Sequence, residues 1–181
     1  MNRHRIVGAV VAVALAASLI MNLYFYLYVR VQNENVVNNM MTRALGSYAG
    51  QIDTAEYFLN EYLDTGNRSL LENEASWCAY SAEWAADVCR QSSGEEIYNQ
   101  LWNTAHVLQS FGVYYVREGG TINETKLTTA ISSLDHIWRF FAGFEFELKD
   151  ENPIEYLMKV NGPNATANVI HYCQIAQDNL S

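Results

Sequence analysis

The side chains in this sequence best suited to bind metal, form disulfides or shuttle protons are few: three cysteines, four histidines and scattered acids. Cys78 and Cys89 fall in the charge-poor stretch WCAYSAEWAADVC (77–89). Eleven residues apart on one helix, they share a face but stand about 16 Å apart along the axis. A disulfide needs Cα atoms within about 7 Å, so the two do not pair with each other. Nor do they share one zinc, whose thiolates sit about 2.3 Å from the metal. Two readings remain. In one, the cysteines are small hydrophobes in an Ala/Cys seam that lets another helix approach closely. In the other, an oxidising compartment joins Cys173 to Cys78 or Cys89 across the fold and leaves one odd cysteine.

The histidines are His4, His106, His136 and His171. Asp135 and His136 have the types of a base and its orienter, but adjacent residues on a helix point apart. No Glu-x-x-His pair, His-Glu-x-x-His or Cys-x-x-Cys-His is present, so di-iron, zinc-protease and c-type haem chemistry lack their signatures. Gly46-Ser47-Tyr48-Ala49-Gly50 has its serine one place off for a nucleophile elbow. Phosphate-cradling and dinucleotide glycine patterns are missing too. The acids Glu145, Glu147, Asp150, Glu151 and Glu155 lack the spacing of a calcium loop and read as a solvated cluster. No catalytic, cofactor or metal residue is assigned on these grounds, and the expected activity is non-enzymatic.

Two other sets of residues carry information. Asn67, Asn123, Asn164 and Asn179 each open an Asn-x-Ser/Thr sequon, the acceptor pattern for N-glycosylation. Trp77 and Trp84 are seven apart, one stripe over from the cysteines. Aromatic residues at helical spacing more often fill core; lining a cavity, these two would be the best small-molecule pocket aromatics in the chain.

These groups need elements to hold them, and the chain supplies helices. Residues 6–29 carry no charge, and at 1.5 Å per residue they make roughly 36 Å of helix, enough to span a bilayer of about 30 Å. Tyr24, Phe25, Tyr26 and Tyr28 crowd the far end, and Arg3 and Arg5 precede the segment. The positive-inside rule then puts residues 1–5 in the cytoplasm and the rest of the chain outside. Cleavage as a signal peptide after Ala14-Leu15-Ala16 would leave the apolar SLIMNLYFYLYV near a new N-terminus, so an uncleaved anchor is preferred. The acids begin only at Glu34, and the net charge is −9. An acidic body of this kind repels phosphates, which argues against nucleic acid as a partner.

Beyond a stalk at 30–40, apolar residues recur at steps of three and four through 41–181. The series are Met41-Leu45-Tyr48-Ile52-Ala55-Leu59-Tyr62, Leu71-Ala75-Cys78-Ala82-Ala85-Cys89, Ile97-Leu101-Thr104-Leu108-Phe111-Tyr115 and Ala130-Leu134-Ile137-Phe141-Phe144-Leu148. Thr121 to Glu124 fits a capping box for the fourth helix. A short helix from Pro153 and a last one through Thr166, Val169, Cys173, Ala176 and Leu180 complete the chain. Short connections favour antiparallel neighbours. The expectation is an all-α protein: a single membrane helix followed by an extracytoplasmic up-down bundle of four to five helices. Its expected work is contact with a protein partner or with further copies of itself, as an accessory or surface component. The alternative is a ligand-sensing four-helix module signalling through a partner in the membrane.

Overall fold

A computed structural model describes the backbone of residues 3–144 and 151–181, and the side chains of residues 15–144 and 151–181. Every regular element among them is helical: α1 (Arg3–Thr65), α2 (Ser76–Ser93), α3 (Glu96–Ser110), α4 (Glu124–Phe141), α5 (Pro153–Asn161) and α6 (Ala165–Leu180). Two six-residue π-helical turns, Leu70–Ala75 and Phe111–Val116, run into α2 and out of α3. The chain divides at Val37/Asn38 into two compact units.

The first unit is the N-terminal part of α1. Its described apolar side chains, from Leu15 through Val31, are all exposed, and Tyr24 stacks on Tyr28 at 6.4 Å. Among the described residues no helix is long and apolar enough to cross a membrane. Positions 6–14 of the expected span lie outside the described side chains. The stalk at 30–40 is helical, as the lack of Pro and Gly there allows, and Arg30 pairs with Glu34 at 2.8 Å.

The second unit is an all-helical bundle. Its seam follows the three-and-four spacing closely. Leu45, Tyr48, Ile52, Ala55 and Leu59 of α1 are fully buried, as are Ala82 and Cys89 of α2, Leu101 and Thr104 of α3, and Leu134 and Ile137 of α4. Left-handed glycines stop α1 at Gly66 and α2 at Gly94, conformations that cost other residues a steric penalty. The cap of α4 is Asn123, not Thr121: its side chain accepts from the Lys126 amide at 3.1 Å, so the expected capping box is displaced by two residues. The α4 helix also ends at Phe141, before Gly143, earlier than its apolar series suggests. Leu148 and the first three acids of the expected cluster lie outside the described residues. Asn152 caps α5 by accepting from the Ile154 amide, with Pro153 in the first turn.

Neighbour relations depart from the expected order. α2 packs on α3, but α6 packs on both α3 and α4, so the last helix lies between two that are successive in sequence. Residues 117–123 are long enough to step across it. Arg68 fixes one end of the bundle, donating to the carbonyls of Val116 at 3.2 Å and Gly120 at 2.7 Å. This ties the α1–α2 connection to the chain leaving α3. At the other end the Cys89 thiol donates to the Met41 carbonyl at 3.5 Å.

Candidate functional site

The two π-helical turns face and touch each other. Each inserts a residue into the helical repeat, which shifts every following side chain around the axis. The consequence is visible after Phe111: Val116 is buried and Tyr115 half exposed, where a regular helix would turn Tyr115 inward. The turns approach so closely because Gly112 has no side chain. A Cβ there would stand 1.9 Å from Ser76 Oγ and 2.4 Å from the Leu71 carbonyl oxygen. Ser76 Oγ donates to that same oxygen at 2.7 Å, satisfying a carbonyl in the first π turn. Sequence periodicity does not reveal this junction. The one available signal was a glycine inside a helical pattern, which commonly marks a close approach.

An open groove of about 540 Å³ lies on the surface beside the junction. Glu72, Glu74, Trp77 and Tyr80 line one side, and Gln109, Val113 and Arg117 the other. Tyr80 also borders a second groove of about 310 Å³, shared with Glu83, Trp84, Asp87, Arg90 and Trp102. Trp77, Tyr80 and Trp84 form one ladder along α2, with ring centroids 5.7 and 6.2 Å apart. Trp77 is 69% exposed, Trp84 61% and Tyr80 37%. The general expectation that helically spaced aromatics are core therefore fails here. The Ala/Cys seam takes the inward face of α2, which leaves the neighbouring stripe outside. Neither tryptophan lines an enclosed cavity between helices; each borders an open groove.

The cysteines take the other side of the same helix. Cys78, Cys89 and Cys173 are all buried free thiols, so of the two readings the small-hydrophobe one describes this structure and the bridge from Cys173 to Cys78 or Cys89 is not formed. Each serves as a small, tightly enclosed side chain. Thr104, also buried, donates its hydroxyl to the Gln100 carbonyl at 2.8 Å and accepts from Gln177 Nε2 at 3.0 Å. Burial pushes both Cys89 and Cys173 up to about 12 and raises Cys78 as well, with Glu74 adding to the last. Thiols held in the neutral form are poor nucleophiles and poor metal ligands.

Other candidates disperse. Asp135 accepts from Arg139 at 2.8 Å and from Trp138 Nε1 at 3.2 Å, while His136 stacks on Tyr172 at 4.4 Å. His106 stacks on Trp102 at 5.1 Å and contacts Glu83 at 3.3 Å. Among the described residues no group of His, Cys, Asp and Glu converges as a metal site. Glu151 pairs with Lys159 at 3.4 Å. Tyr48 of the Gly-Ser-Tyr-Ala-Gly stretch is core, its hydroxyl donating to the Leu101 carbonyl at 3.1 Å.

Of the sequon asparagines, Asn67, Asn123 and Asn164 are exposed. The first two accept backbone amides through Oδ1, from Ser69 at 3.2 Å and Lys126 at 3.1 Å. Asn179 differs: it is half-buried and its Nδ2 donates to the Ile175 carbonyl at 2.8 Å. No family model, curated protein or solved structure matches the chain.

Proposed function

We propose that this chain is a membrane-anchored helical bundle that works by docking a partner protein on the aromatic face of α2 and α3. One observation carries the reading: the core is closed, yet Trp77, Tyr80 and Trp84 stand exposed in a row across two adjoining grooves. Large apolar patches left uncovered on a folded domain are characteristic of interaction surfaces, and aromatic side chains dominate their energetics. The absence of any catalytic signature in the sequence agrees with a non-enzymatic, accessory role.

Support for the anchor comes from residues 6–29, uncharged throughout, whose described apolar side chains are left without protein cover. Water is a poor solvent for such a helix and lipid a good one. Arg3 and Arg5 before the span orient the bundle to the outside. A ligand-sensing role is the second reading, favoured by the 540 Å³ groove, whose size is that of small-molecule sites. Its open form and mixed lining suit a peptide segment better than an enclosed small ligand.

Affinity purification from detergent-solubilised membranes tests the docking role. A different protein is expected to co-purify with the native chain and to be lost when Trp77, Tyr80 and Trp84 are replaced by alanine. Recovery of the chain alone, with no partner, contradicts it.

A further inference from the structure

We infer that the groove beside the π-helical junction receives a lysine- or arginine-bearing segment of the partner protein, the cation resting on Trp77 with Glu72 and Glu74 at its edge. The inference rests on the docking role proposed above and gives the partner its chemistry.

Two of the four tryptophans carry a guanidinium supplied by the chain itself. Arg90 lies 4.7 Å from the centre of the Trp102 ring, held by Asp87 at 2.6 Å. Arg139 lies 5.8 Å from the Trp138 ring, held by Asp135 at 2.8 Å. In both, the aromatic face takes the cation and a neighbouring carboxylate fixes it, a combination stronger than either contact alone. Trp77 sits among the same kinds of side chain, with Tyr80 against it at 5.7 Å and Glu72 and Glu74 lining the same groove. Among the described residues no cation of the chain lies over Trp77, and neither glutamate has an ion pair. The two internal sites are filled; this one has its aromatic face and its acids but not its cation.

Charge selects among occupants. Two acids against Arg117 leave the groove negative, in a protein of net charge −9. A second copy docked face to face would set Glu72 and Glu74 against their own kind, and an anionic lipid surface would be repelled by them. A cationic segment gains on both counts, while Arg117 on the opposite wall offers a donor to the carbonyls of its backbone.

The test is selection of a displayed random dodecapeptide library on the full chain in detergent. Enriched peptides are expected to carry Lys or Arg. Their binding is expected to weaken about tenfold in Trp77→Ala and likewise in the pair Glu72→Gln with Glu74→Gln. Removing two exposed acids elsewhere, Glu124→Gln with Glu155→Gln, is expected to change binding less than twofold. All these side chains lie at the surface, and unchanged thermal melting verifies each variant. Enrichment of neutral or acidic peptides overturns the inference, as does equal weakening by both acid pairs. Association with vesicles of phosphatidylcholine and phosphatidylglycerol, which the anchor alone provides, is expected to be the same in Trp77→Ala as in the native chain; Trp77-dependent vesicle binding would make lipid the occupant instead. If the natural partner is lost with Trp77→Ala but kept by the glutamine pair, docking stands and the cationic assignment falls.

Discussion

Gly112 and Ser76 approach so closely that a single methyl at position 112 would overlap the serine hydroxyl, at 1.9 Å from Oγ. This contact joins the two π-helical turns and sets the register of the surface beside them. Gly112→Ala is expected to lower stability by about 2 kcal/mol, the usual cost of forcing atoms into a filled site. Adding Ser76→Ala is expected to restore only part of that loss, because the Leu71 carbonyl oxygen still stands 2.4 Å from the new methyl. Urea denaturation of the three variants measures it; full rescue by the double change would show that the hydroxyl alone limits the approach.

Arg68 makes a similar join at the end of the bundle through two backbone carbonyls. Arg68→Met keeps much of the side chain's bulk but removes both bonds. A loss of about 1–3 kcal/mol is expected, in the range for hydrogen bonds from charged donors. Amide exchange is expected to quicken first at residues 117–123. Uniform exchange with unchanged melting would mean that the arginine is merely a surface residue.

The buried thiols predict an alkaline limit. Cys89 and Cys173 stay neutral in the fold up to about 12, whereas the unfolded chain ionises its thiols near 9. Below pH 9 both states hold these protons and stability is unaffected by them. Between pH 9 and 12 only the unfolded state releases them, so stability falls as pH rises, by roughly 1.4 kcal/mol per unit per thiol at most. Tyr48 and Tyr98, raised by the same burial, act in the same direction at higher pH. The native protein is also expected to give no reaction with a thiol reagent at neutral pH, and three equivalents once denatured. Rapid native labelling of Cys89 or Cys173 would contradict their enclosure.

Asn123 combines two roles that substitution can separate. Asn123→Ala removes the cap of α4 and is expected to cost about 1 kcal/mol, while Thr125→Ala removes only the sequon. In a glycosylating host both changes are expected to lower the mass by one glycan, and only the first to lower melting after glycan removal. Asn179, with its Nδ2 already bonded to Ile175, is expected to remain unmodified. Glycopeptide mass spectrometry reads all four positions.

How far the sequence speaks varies with the physics of each feature. The apolar seams from Leu45 to Leu59 and from Val169 to Leu180 were legible because burial imposes one face on a regular helix. The stops at Gly66 and Gly94 have a local cause, the left-handed backbone that glycine adopts freely. Tyr115 leaves the seam that the apolar series assigns it because a π turn adds a residue that no periodicity anticipates. The place of α6 between α3 and α4 depends on which seams fit each other, a property of the whole chain. Trp77 and Trp84 were legible as a stripe but not as an exposed one, since the width of the Ala/Cys seam decides which stripe faces solvent.

The most direct test of partner docking is photo-crosslinking in native membranes with p-benzoylphenylalanine at position 77. The expected result is one adduct of fixed mass with a different protein. The same probe at exposed Val160, on α5 and away from the α2–α3 face, is expected to give none. Adducts only with lipid or with a second copy of the chain, or equal labelling from position 160, would contradict a docking role for the Trp77–Tyr80–Trp84 ladder.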